Sequence, residues 1–415
     1  MRFLYVTHQY PPALGGSEKY IADLSEALAE RGHQVDVYTS RSVDFYTWKN
    51  VLPPFERRNG VNVYRFWSMY RRGSGWRALH FGLRHYWPTR SRLYEPFIFY
   101  GNGPLAPGLF WQMLRHGRSY DLIHLNCLVY GTAVYGYWAA RLRRAPVVIT
   151  PHLHPEQEVT YNIGHQRAVL KGSDHILTDT KAERDFLLQH DLDLDPARVT
   201  NTGIGLRPEQ YPAGDPRQAR RQMGLPEDGF VVLFLSRKSK YKGLALVVQA
   251  FAQLRQTYPD LVLAAAGPET DDSQALWPQY ETLDNLYVWD KVSETEKIAL
   301  LQACDCLVLP SIGEAFGIVY LEAWLMGKPV VGARITAVSS VIEDGVDGLL
   351  AEPEADDVAR AIRALIDQPQ RRRAMGERGR KKVFAEYTVS RMADRVEAVY
   401  RQTLAARGIP YDAGN

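Results

Sequence analysis

The sequence contains few cysteines and no long apolar run. Only three of its 415 residues are cysteine, namely Cys127, Cys304 and Cys306. Three cysteines cannot form a disulfide framework, which favours a reducing compartment. No stretch reaches the roughly 18 apolar residues that a membrane-spanning helix needs, and the apolar run at the N-terminus is too short for a signal-peptide core. We therefore expect a cytoplasmic protein.

Acidic residues are scarce between residues 41 and 118, which hold 3 Asp and Glu against 13 Lys and Arg, although the whole chain carries a formal charge of only +3. The same stretch is rich in aromatic residues. Arginine and aromatic side chains together suit an anionic membrane surface, a lipid-linked pyrophosphate or a sugar. A solvated, loop-rich insertion with its own small core is the alternative. Charge alone would also suit nucleic acid, but no nucleic-acid-binding motif is present, so we expect no such partner.

The composition, with 46% hydrophobic and 23% charged residues, is that of a globular protein and excludes a disordered chain. Short β-branched runs alternate with helical patterns, and the continuously apolar runs indicate strands buried on both faces. This alternation predicts a doubly wound α/β architecture with parallel sheets. The predicted strands are Arg2–Thr7, Val35–Thr39, Val61–Phe66, Leu122–Leu125, Val147–Thr150, His175–Thr178, Val199–Thr202, Val231–Ser236, Leu261–Ala266, Leu286–Val288, Cys306–Leu309 and Val330–Gly332.

A stretch rich in proline and glycine at residues 205–217 shows no periodicity and is typical of a linker. We predict one Rossmann-like domain over residues 1–205, a linker over 206–224 and a second Rossmann-like domain over 225–388. Residues 389–415 contain an amphipathic helix, which is either a plain core helix or a brace that crosses back to the first domain. The two domains are expected to face each other across a cleft at the carboxyl ends of their strands, where ligands bind in such sheets.

The segment 309–331 contains two carboxylates eight residues apart. Glu314 lies in a loop after a buried strand, and Glu322 lies two turns inside the helix that follows. Charged carboxylates hold the hydroxyls of a sugar or a ribose strongly. The alternative is that Glu314 caps the helix and Glu322 is a surface residue, although the apolar neighbours of Glu322 argue against a surface position.

The start of the same helix is a candidate anion site. Phe316 and Gly317 open the helix, and the first N–H groups of a helix lack partners within it. The N–H groups of Gly317, Ile318 and Val319 are therefore expected to bind a phosphate.

Basic residues and glycines follow other predicted strands. Arg237 and Lys242 come after strand Val231–Ser236 in a segment with a surplus of cations, although a solvated basic loop is the alternative. Gly15 and Gly16 follow the first strand, where glycine lets a backbone approach a phosphate closely, although a lone pair is usually only a turn.

Together these motifs resemble the retaining glycosyltransferases of the GT-B fold, and above all the nucleotide-sugar-dependent family 4. The resemblance rests on Glu314 and Glu322 with seven residues between them, followed by Gly-Lys-Pro-Val-Val. It extends to the Gly-Gly loop and helix near the N-terminus, the basic segment SRKSKYKG and the late segment VIEDGVDGLL, in the family's order over most of the chain.

The resemblance implies the roles of the site residues. Arg237 and Lys242 would stabilise the leaving diphosphate, Glu314 would hold the donor sugar, and Glu322 would hold the ribose. His152 would lie at the donor sugar. The loop of Gly15 and Gly16 would close over the donor phosphates, and Val292 would lie near the nucleobase.

Some positions leave alternatives open. His154 is the matching histidine if the register is shifted, and it could form a metal pair with His152, although no further ligands are obvious. Asp191-Leu-Asp-Leu-Asp195 contains an Asp-x-Asp sequence, which we interpret as a solvated loop. Ser339 or Ser340 replaces the family's usual acidic residue, and Asp290 replaces a common glycine.

The resemblance implies a metal-independent, retaining transfer by a front-face mechanism, without a bound cofactor. The donor would be a nucleotide sugar, with UDP as the first candidate. The acceptor would be a glycan, a lipid-linked molecule or a small molecule, with peripheral contact to an anionic membrane at its cytoplasmic face. The alternatives are another GT-B enzyme, such as a nucleotide-sugar epimerase or a phosphorylase, and a non-catalytic nucleotide-sugar-binding protein.

Overall fold

The computed structural model describes residues 1–13, 15–69, 73–153, 161–189 and 192–411. The chain forms two compact units. Unit 1 contains residues 1–205 and 389–415, and unit 2 contains residues 206–388.

Unit 1 is built on an eight-stranded sheet covered by helices. Its elements, in chain order, are β1 (Arg2–Val6), α1 (Gly16–Glu30), β2 (Gln34–Ser40), β3 (Phe55–Arg58), β4 (Val61–Phe66), α2 (Gly73–Thr89), α3 (Glu95–Asn102), α4 (Pro107–His116), β5 (Leu122–Asn126), α5 (Gly131–Leu142), β6 (Val147–Thr150), α6 (Gly164–Gly172), β7 (His175–Thr178), α7 (Lys181–Gln189) and β8 (Val199–Asn201). The strand order is β3-β4-β2-β1-β5-β6-β7-β8. Among the described strands of this sheet, β3 and β4 pair antiparallel and all other neighbours are parallel.

The basic, aromatic stretch 41–118 divides between the sheet and a separate pair of helices. Strands β3 and β4 form one edge of the sheet, and Leu109 and Met113 of α4 belong to the main core. Helices α2 and α3 pack on each other around a small second core, which contains Leu79, Tyr86, Ile98 and also Ile163, the residue before α6. The helical pair is therefore the part of this stretch that stands apart from the sheet.

Unit 2 contains a six-stranded sheet in which all neighbouring strands are parallel. Its elements are α8 (Pro216–Gln222), β9 (Phe230–Leu235), α9 (Leu244–Arg255), β10 (Leu261–Ala266), α10 (Asp271–Leu276), β11 (Leu286–Trp289), α11 (Glu294–Ala303), β12 (Cys306–Leu309), α12 (Ile318–Leu325), β13 (Val330–Ala333), α13 (Thr336–Ser339), β14 (Gly348–Ala351), α14 (Ala355–Asp367) and α15 (Pro369–Glu386). The strand order β11-β10-β9-β12-β13-β14 reverses between β9 and β12. This is the doubly wound order in which ligands bind at the reversal.

All twelve predicted strands are present, with ends that differ by at most one residue. Two further strands, β3 and β14, were not predicted. The β3 sequence Phe-Glu-Arg-Arg is mostly exposed and pairs only at the sheet edge, so it carries no apolar pattern. The β14 strand has only four residues and lies at an edge of the six-stranded sheet, beside β13.

The segment predicted as a linker contains a helix and belongs to unit 2. The Asp215 side chain accepts a hydrogen bond from the N–H of Arg217, and Pro216 occupies the first position of α8, where proline is favoured. Arg220 of this helix donates to the carbonyl oxygen of Ala303 and to the Asp305 carboxylate. These contacts attach the segment to α11 and β12 and explain why it has structure without apolar periodicity.

The last helix, α16 (Val389–Ala406), packs on unit 1, as predicted for a brace that crosses back to the first domain. Its Tyr400 hydroxyl lies 2.9 Å from the Tyr5 hydroxyl and 2.5 Å from Nδ1 of His124. Glu397 accepts a hydrogen bond of 2.7 Å from Arg31. Buried polar groups are stable only when paired, so these contacts specify where α16 lies.

Within the described ranges, no helix is both long enough and apolar enough to cross a membrane.

We expect Glu397→Gln to lower the melting temperature of unit 1 near neutral pH. Burial acts to raise the pKa of Glu397, but hydrogen bonds from Tyr411, Arg31 and Arg401 outweigh it and lower the pKa to about 2. A carboxyl whose folded pKa is depressed stabilises the fold above its ordinary pKa of about 4.5 and loses that contribution as the pH falls towards 2. Hydrogen bonds to a charged group contribute about 1.5–3 kcal/mol each at most.

Thermal unfolding of wild type and variant between pH 7 and pH 2.5 measures this effect. The difference should be a few degrees at pH 7 and should shrink steadily below pH 4.5. Glu281→Gln, at an exposed position, is the control and should change little at any pH. A difference in melting temperature between wild type and Glu397→Gln that stays constant across the pH range would contradict the lowered pKa of Glu397.

Candidate functional site

The reversal of strand order in unit 2 brings together two loops that carry predicted site residues. The loop 236–243 follows β9, and the loop 310–317 follows β12. The carbonyl oxygen of Tyr241 accepts hydrogen bonds from the N–H of Ile312 at 2.9 Å and from the Ser311 hydroxyl at 3.3 Å. The loops are therefore joined by their backbones as well as by their side chains.

Lys242 and Glu314 form an ion pair across these two loops. The Lys242 ammonium also lies 3.3 Å from the carbonyl oxygen of Gly313. Both side chains are largely buried, with 14% of Lys242 and 11% of Glu314 exposed. The structure thus brings Lys242, which is predicted to bind the diphosphate, into contact with Glu314, which is predicted to bind the donor sugar.

Gly243 permits the close approach of the two loops. It has a φ of +80°, in the left-handed region, and a side chain there would begin 2.5 Å from the carbonyl oxygen of Pro310. Only glycine tolerates both conditions. Gly243 also immediately precedes α9, so the basic loop ends at the start of that helix.

The predicted phosphate-binding helix start is present at α12. Gly317 has a φ of +84° and precedes Ile318 and Val319, the first two helical residues. Phe316 is buried and packs edge to face on Tyr387, with ring centroids 5.5 Å apart. The helix start is therefore held firmly beside Glu314, and its dipole favours a negatively charged group.

The other basic residues of the loop 236–243 have different environments. Arg237 is half-buried. Lys238, which the sequence did not single out, is fully buried, pairs with Glu269 and donates to the carbonyl oxygen of Trp289 at 2.7 Å. Lys238 therefore ties the loop after β9 to the loop after β10 and to the end of β11, which is a structural role.

Glu322 is buried on α12, as its apolar neighbours indicated. It accepts hydrogen bonds from the Tyr211 hydroxyl at 2.6 Å and from the Lys297 ammonium at 2.8 Å. Burial acts to lower the pKa of Lys297, but the carboxylates of Glu322 and Glu294 raise it. Tyr211 and Lys297 were missed because one lies in the predicted linker and the other in a charged helix, and only tertiary contact joins them to Glu322.

Val292 is half-buried in the loop between β11 and α11. The next residue, Ser293, caps α11 because its hydroxyl oxygen accepts a hydrogen bond from the N–H of Glu296. The Glu296 carboxylate in turn accepts a hydrogen bond from the N–H of Ser293. This capping box fixes the loop at the start of the helix that also carries Lys297.

In unit 1, Gly15 and Gly16 lie at the start of α1, next to a buried carboxylate. A side chain at Gly15 would begin 2.2 Å from Oε2 of Glu18. Burial acts to raise the pKa of Glu18, but a 3.0 Å contact with His8 outweighs it and lowers the pKa to about 2. A negative charge already occupies this helix start, so the role of both glycines at the donor phosphates stays a prediction.

His152 follows β6 with a φ of +54°, a conformation that is uncommon outside glycine. Its Nδ1 lies 2.6 Å from the carboxylate of Asp179, and its Nε2 lies 2.7 Å from the amide oxygen of Asn126. Its ring is nearly perpendicular to that of Tyr20, with the ring centroids 5.0 Å apart. An uncommon backbone conformation held by two side-chain contacts is typical of a functional residue.

The remaining alternatives concern metal ions. His154 and Asp191 lie outside the described residues. Among the residues that are described, no group of three or more His, Cys, Asp and Glu side chains could hold a metal ion.

Comparisons with known proteins define the class of this one. Residues 215–382 match the family model described as "Glycosyl transferases group 1", and residues 15–203 match "Glycosyl transferase 4-like domain". D-inositol 3-phosphate glycosyltransferase 1 of Catenulispora acidiphila is 30% identical over 95% of this chain and 93% of its own length. The corresponding enzyme of Stackebrandtia nassauensis is 27% identical over 95% of this chain and 88% of its own length.

The chain therefore belongs to the group 1 glycosyltransferases of family 4, and it is a transferase. Solved structures confirm the predicted GT-B type of fold. Anabaena Alr3699/HepE in complex with UDP-glucose matches with a TM-score of 0.74 and 20% identity over 97% of this chain and all of that one. Sucrose-phosphate synthase from Thermosynechococcus elongatus matches with a TM-score of 0.76 and 21% identity over 98% and 99% of the two chains.

We expect Gly243→Ala to disrupt the junction of the two loops. A methyl group would be strained at this φ, which costs about 1–2 kcal/mol, and would also collide with the Pro310 carbonyl. Gly224→Ala is a matched control, because Gly224 has a φ of +67° but no atom lies within 4 Å of the added methyl group.

Thermal unfolding compares the two variants. Gly243→Ala should lower the melting temperature clearly more than Gly224→Ala does. An equal fall in melting temperature in the two variants would show that the added methyl group meets no costly contact with Pro310.

Proposed function

We propose that this protein transfers a sugar from a nucleoside diphosphate sugar to a hydroxyl group, with retention of the anomeric configuration and without a metal ion. The observation that carries the proposal is the contact of Lys242 with Glu314 beside the start of α12. A cation, a carboxylate and a helix N-terminus are the groups that a diphosphate joined to a sugar requires.

The likeness to other proteins supports a choice of substrates. A UDP-sugar is the first candidate donor, because a structure of the same fold holds UDP-glucose. The acceptor is a hydroxyl of a glycan, a lipid-linked molecule or a small molecule. Relatives named for inositol 3-phosphate favour an acceptor with several hydroxyls.

In the proposed reaction, Lys242, Arg237 and the N–H groups at the start of α12 stabilise the departing diphosphate. Negative charge grows on the phosphate oxygen as its bond to the anomeric carbon breaks, so fixed cations act most strongly in the transition state. Lys242 is neutralised by Glu314 in the structure. A bound diphosphate would therefore share its ammonium group. These protein cations supply the charge that a metal ion would otherwise provide.

Glu314 is proposed to hold hydroxyls of the donor sugar and to favour positive charge near the anomeric carbon. His152 is proposed to orient the sugar. The acceptor oxygen forms its bond to the anomeric carbon on the face from which the phosphate departs, and its proton passes to the departing phosphate oxygen. Retention by this route needs no carboxylate nucleophile of the kind that retaining glycosidases use.

We expect Glu314→Gln and Lys242→Met each to reduce the rate of transfer by about 10²–10³-fold, because each removes charge stabilisation of the transition state. Lys240→Met is the matched control, since Lys240 lies exposed in the same loop. A screen of UDP, GDP and ADP sugars against candidate acceptors would identify the pair to assay.

Proton NMR of the product then gives the anomeric configuration, and EDTA in the same assay tests the independence of metal. Inversion of configuration, or loss of activity with EDTA that added metal restores, would contradict the proposed mechanism. Conversion of the donor to an epimer without any acceptor would identify the alternative enzyme class.

We also propose peripheral contact with an anionic membrane through the α2–α3 surface, defined as Arg77, Phe81, Arg84, Leu93 and Phe97. All five side chains are exposed, and Leu93 is 80% exposed. The rings of Phe81 and Phe97 lie 5.0 Å apart, so these two side chains form one apolar patch. Residues 73–97 contain four arginines and one carboxylate, which suits anionic lipids.

We expect wild type to bind vesicles that contain phosphatidylglycerol and to bind neutral phosphatidylcholine vesicles weakly. The double change Phe81→Ser with Leu93→Glu should reduce binding, because it removes apolar area and adds repulsion. Phe384→Glu, which replaces another exposed phenylalanine, is the control. Cosedimentation at low and high salt measures the effect, and salt should weaken the wild-type interaction. Equal binding of wild type and the double variant would exclude this surface.

A further inference from the structure

Glu322 is held in position by two hydrogen bonds from other side chains of unit 2. The hydrogen bonds from Tyr211 and Lys297 both end on the same carboxylate oxygen, Oε1. Neither bond uses Oε2. Because a carboxylate oxygen can accept two donors at once, this arrangement holds the group from one side and leaves its second oxygen for another partner.

Lys297 is itself held in place from several directions. Its ammonium group lies 2.7 Å from the carboxylate of Glu294 and 5.7 Å from the centre of the Tyr211 ring. Only 15% of the Lys297 side chain is exposed. The positive charge of Lys297 offsets the cost of burying Glu322 as an anion, which an unpaired carboxylate could not sustain.

Tyr211 reaches Glu322 because its segment is packed on α11. The side chain of Gln302 donates a hydrogen bond of 2.8 Å to the carbonyl oxygen of Pro212, the residue after Tyr211. Helix α11 thus carries Lys297 in its first turns and fixes the Tyr211 segment near its end. The two donors to Glu322 therefore belong to one packed structure.

We propose that Tyr211 and Lys297 are positioning residues that hold Glu322 ready for the ribose of the donor, so that the protein selects ribonucleoside over deoxyribonucleoside diphosphates. The inference rests on the proposed function and on the role that the family resemblance gives to Glu322, which is to hold the ribose. A ribose hydroxyl would donate to Oε2. A deoxynucleotide would leave a buried, fixed anion without that donor, and sites built to bind a hydroxyl reject analogues that lack it.

The test measures selectivity rather than affinity alone. Dissociation constants of UDP, 2′-deoxy-UDP and 3′-deoxy-UDP for the full chain are measured by calorimetry, with the GDP and ADP series as further probes. We expect wild type to bind the ribonucleotide at least about tenfold more tightly than one of the two deoxy analogues, equivalent to about 1.4 kcal/mol. Tyr211→Phe and Lys297→Met should each reduce this ratio to about threefold or less.

Two controls separate positioning from general stability. Tyr258→Phe removes a hydroxyl that donates to Asp367 at an exposed position of the same unit, and it should leave the ratio unchanged. Lys297→Arg keeps the charge and should retain more selectivity than Lys297→Met. A purely structural role for the two residues would lower the melting temperature of the variants but leave the ratio as in wild type.

The outcomes are distinct. A wild-type ratio that falls in Tyr211→Phe and not in Tyr258→Phe supports the inference. A ratio that persists in Tyr211→Phe and Lys297→Met overturns it, while the proposed function stands. Equal binding of ribonucleotides and deoxynucleotides by wild type also overturns it. Failure of wild type to bind any of the ribonucleotides or their sugar conjugates would overturn the proposed function itself.

Discussion

The close approach of two loops at the reversal of strand order in unit 2 is the constraint on which its candidate site depends. Parallel strands on either side of such a reversal send their connections in opposite directions, which opens a crevice at their carboxyl ends. Gly243 lets the first loop lie against Pro310 of the second. This contact fixes the spacing of a basic loop, an acidic loop and a helix start, so the chemistry follows from backbone geometry.

Unit 2 places each of its two key carboxylates beside a lysine, but the two pairs differ in kind. The pair of Lys242 and Glu314 joins two loops at the crevice. The pair of Lys297 and Glu322 joins two helices and includes a tyrosine hydroxyl. In the proposed reaction the first pair is shared with a diphosphate as charge develops, whereas the second remains intact. One pair would thus serve catalysis and the other the recognition of the nucleotide.

The sequence was informative where a single segment carries its own signal. Short β-branched and apolar runs identified twelve strands, and the segments that follow two of them supplied Lys242 and Glu314 as candidate site residues. The exposed edge strand β3 gave no such signal, because its residues are charged. The contacts of Glu322 with Tyr211 and Lys297 join residues 111 and 25 positions apart. No local pattern encodes contacts of that kind, so only the folded structure shows them.

The return of α16 to unit 1 means that unit 2 is an insertion within the chain of unit 1. The two ends of the insertion meet, since the N–H of Leu206 donates a hydrogen bond of 2.8 Å to the carbonyl oxygen of Tyr387. Because these ends are adjacent, joining them through a short linker would cost little loop-closure entropy. Unit 2 is therefore suited to autonomous expression as residues 206–388, and its junctions are natural sites for circular permutation or for exchange with the corresponding unit of a relative.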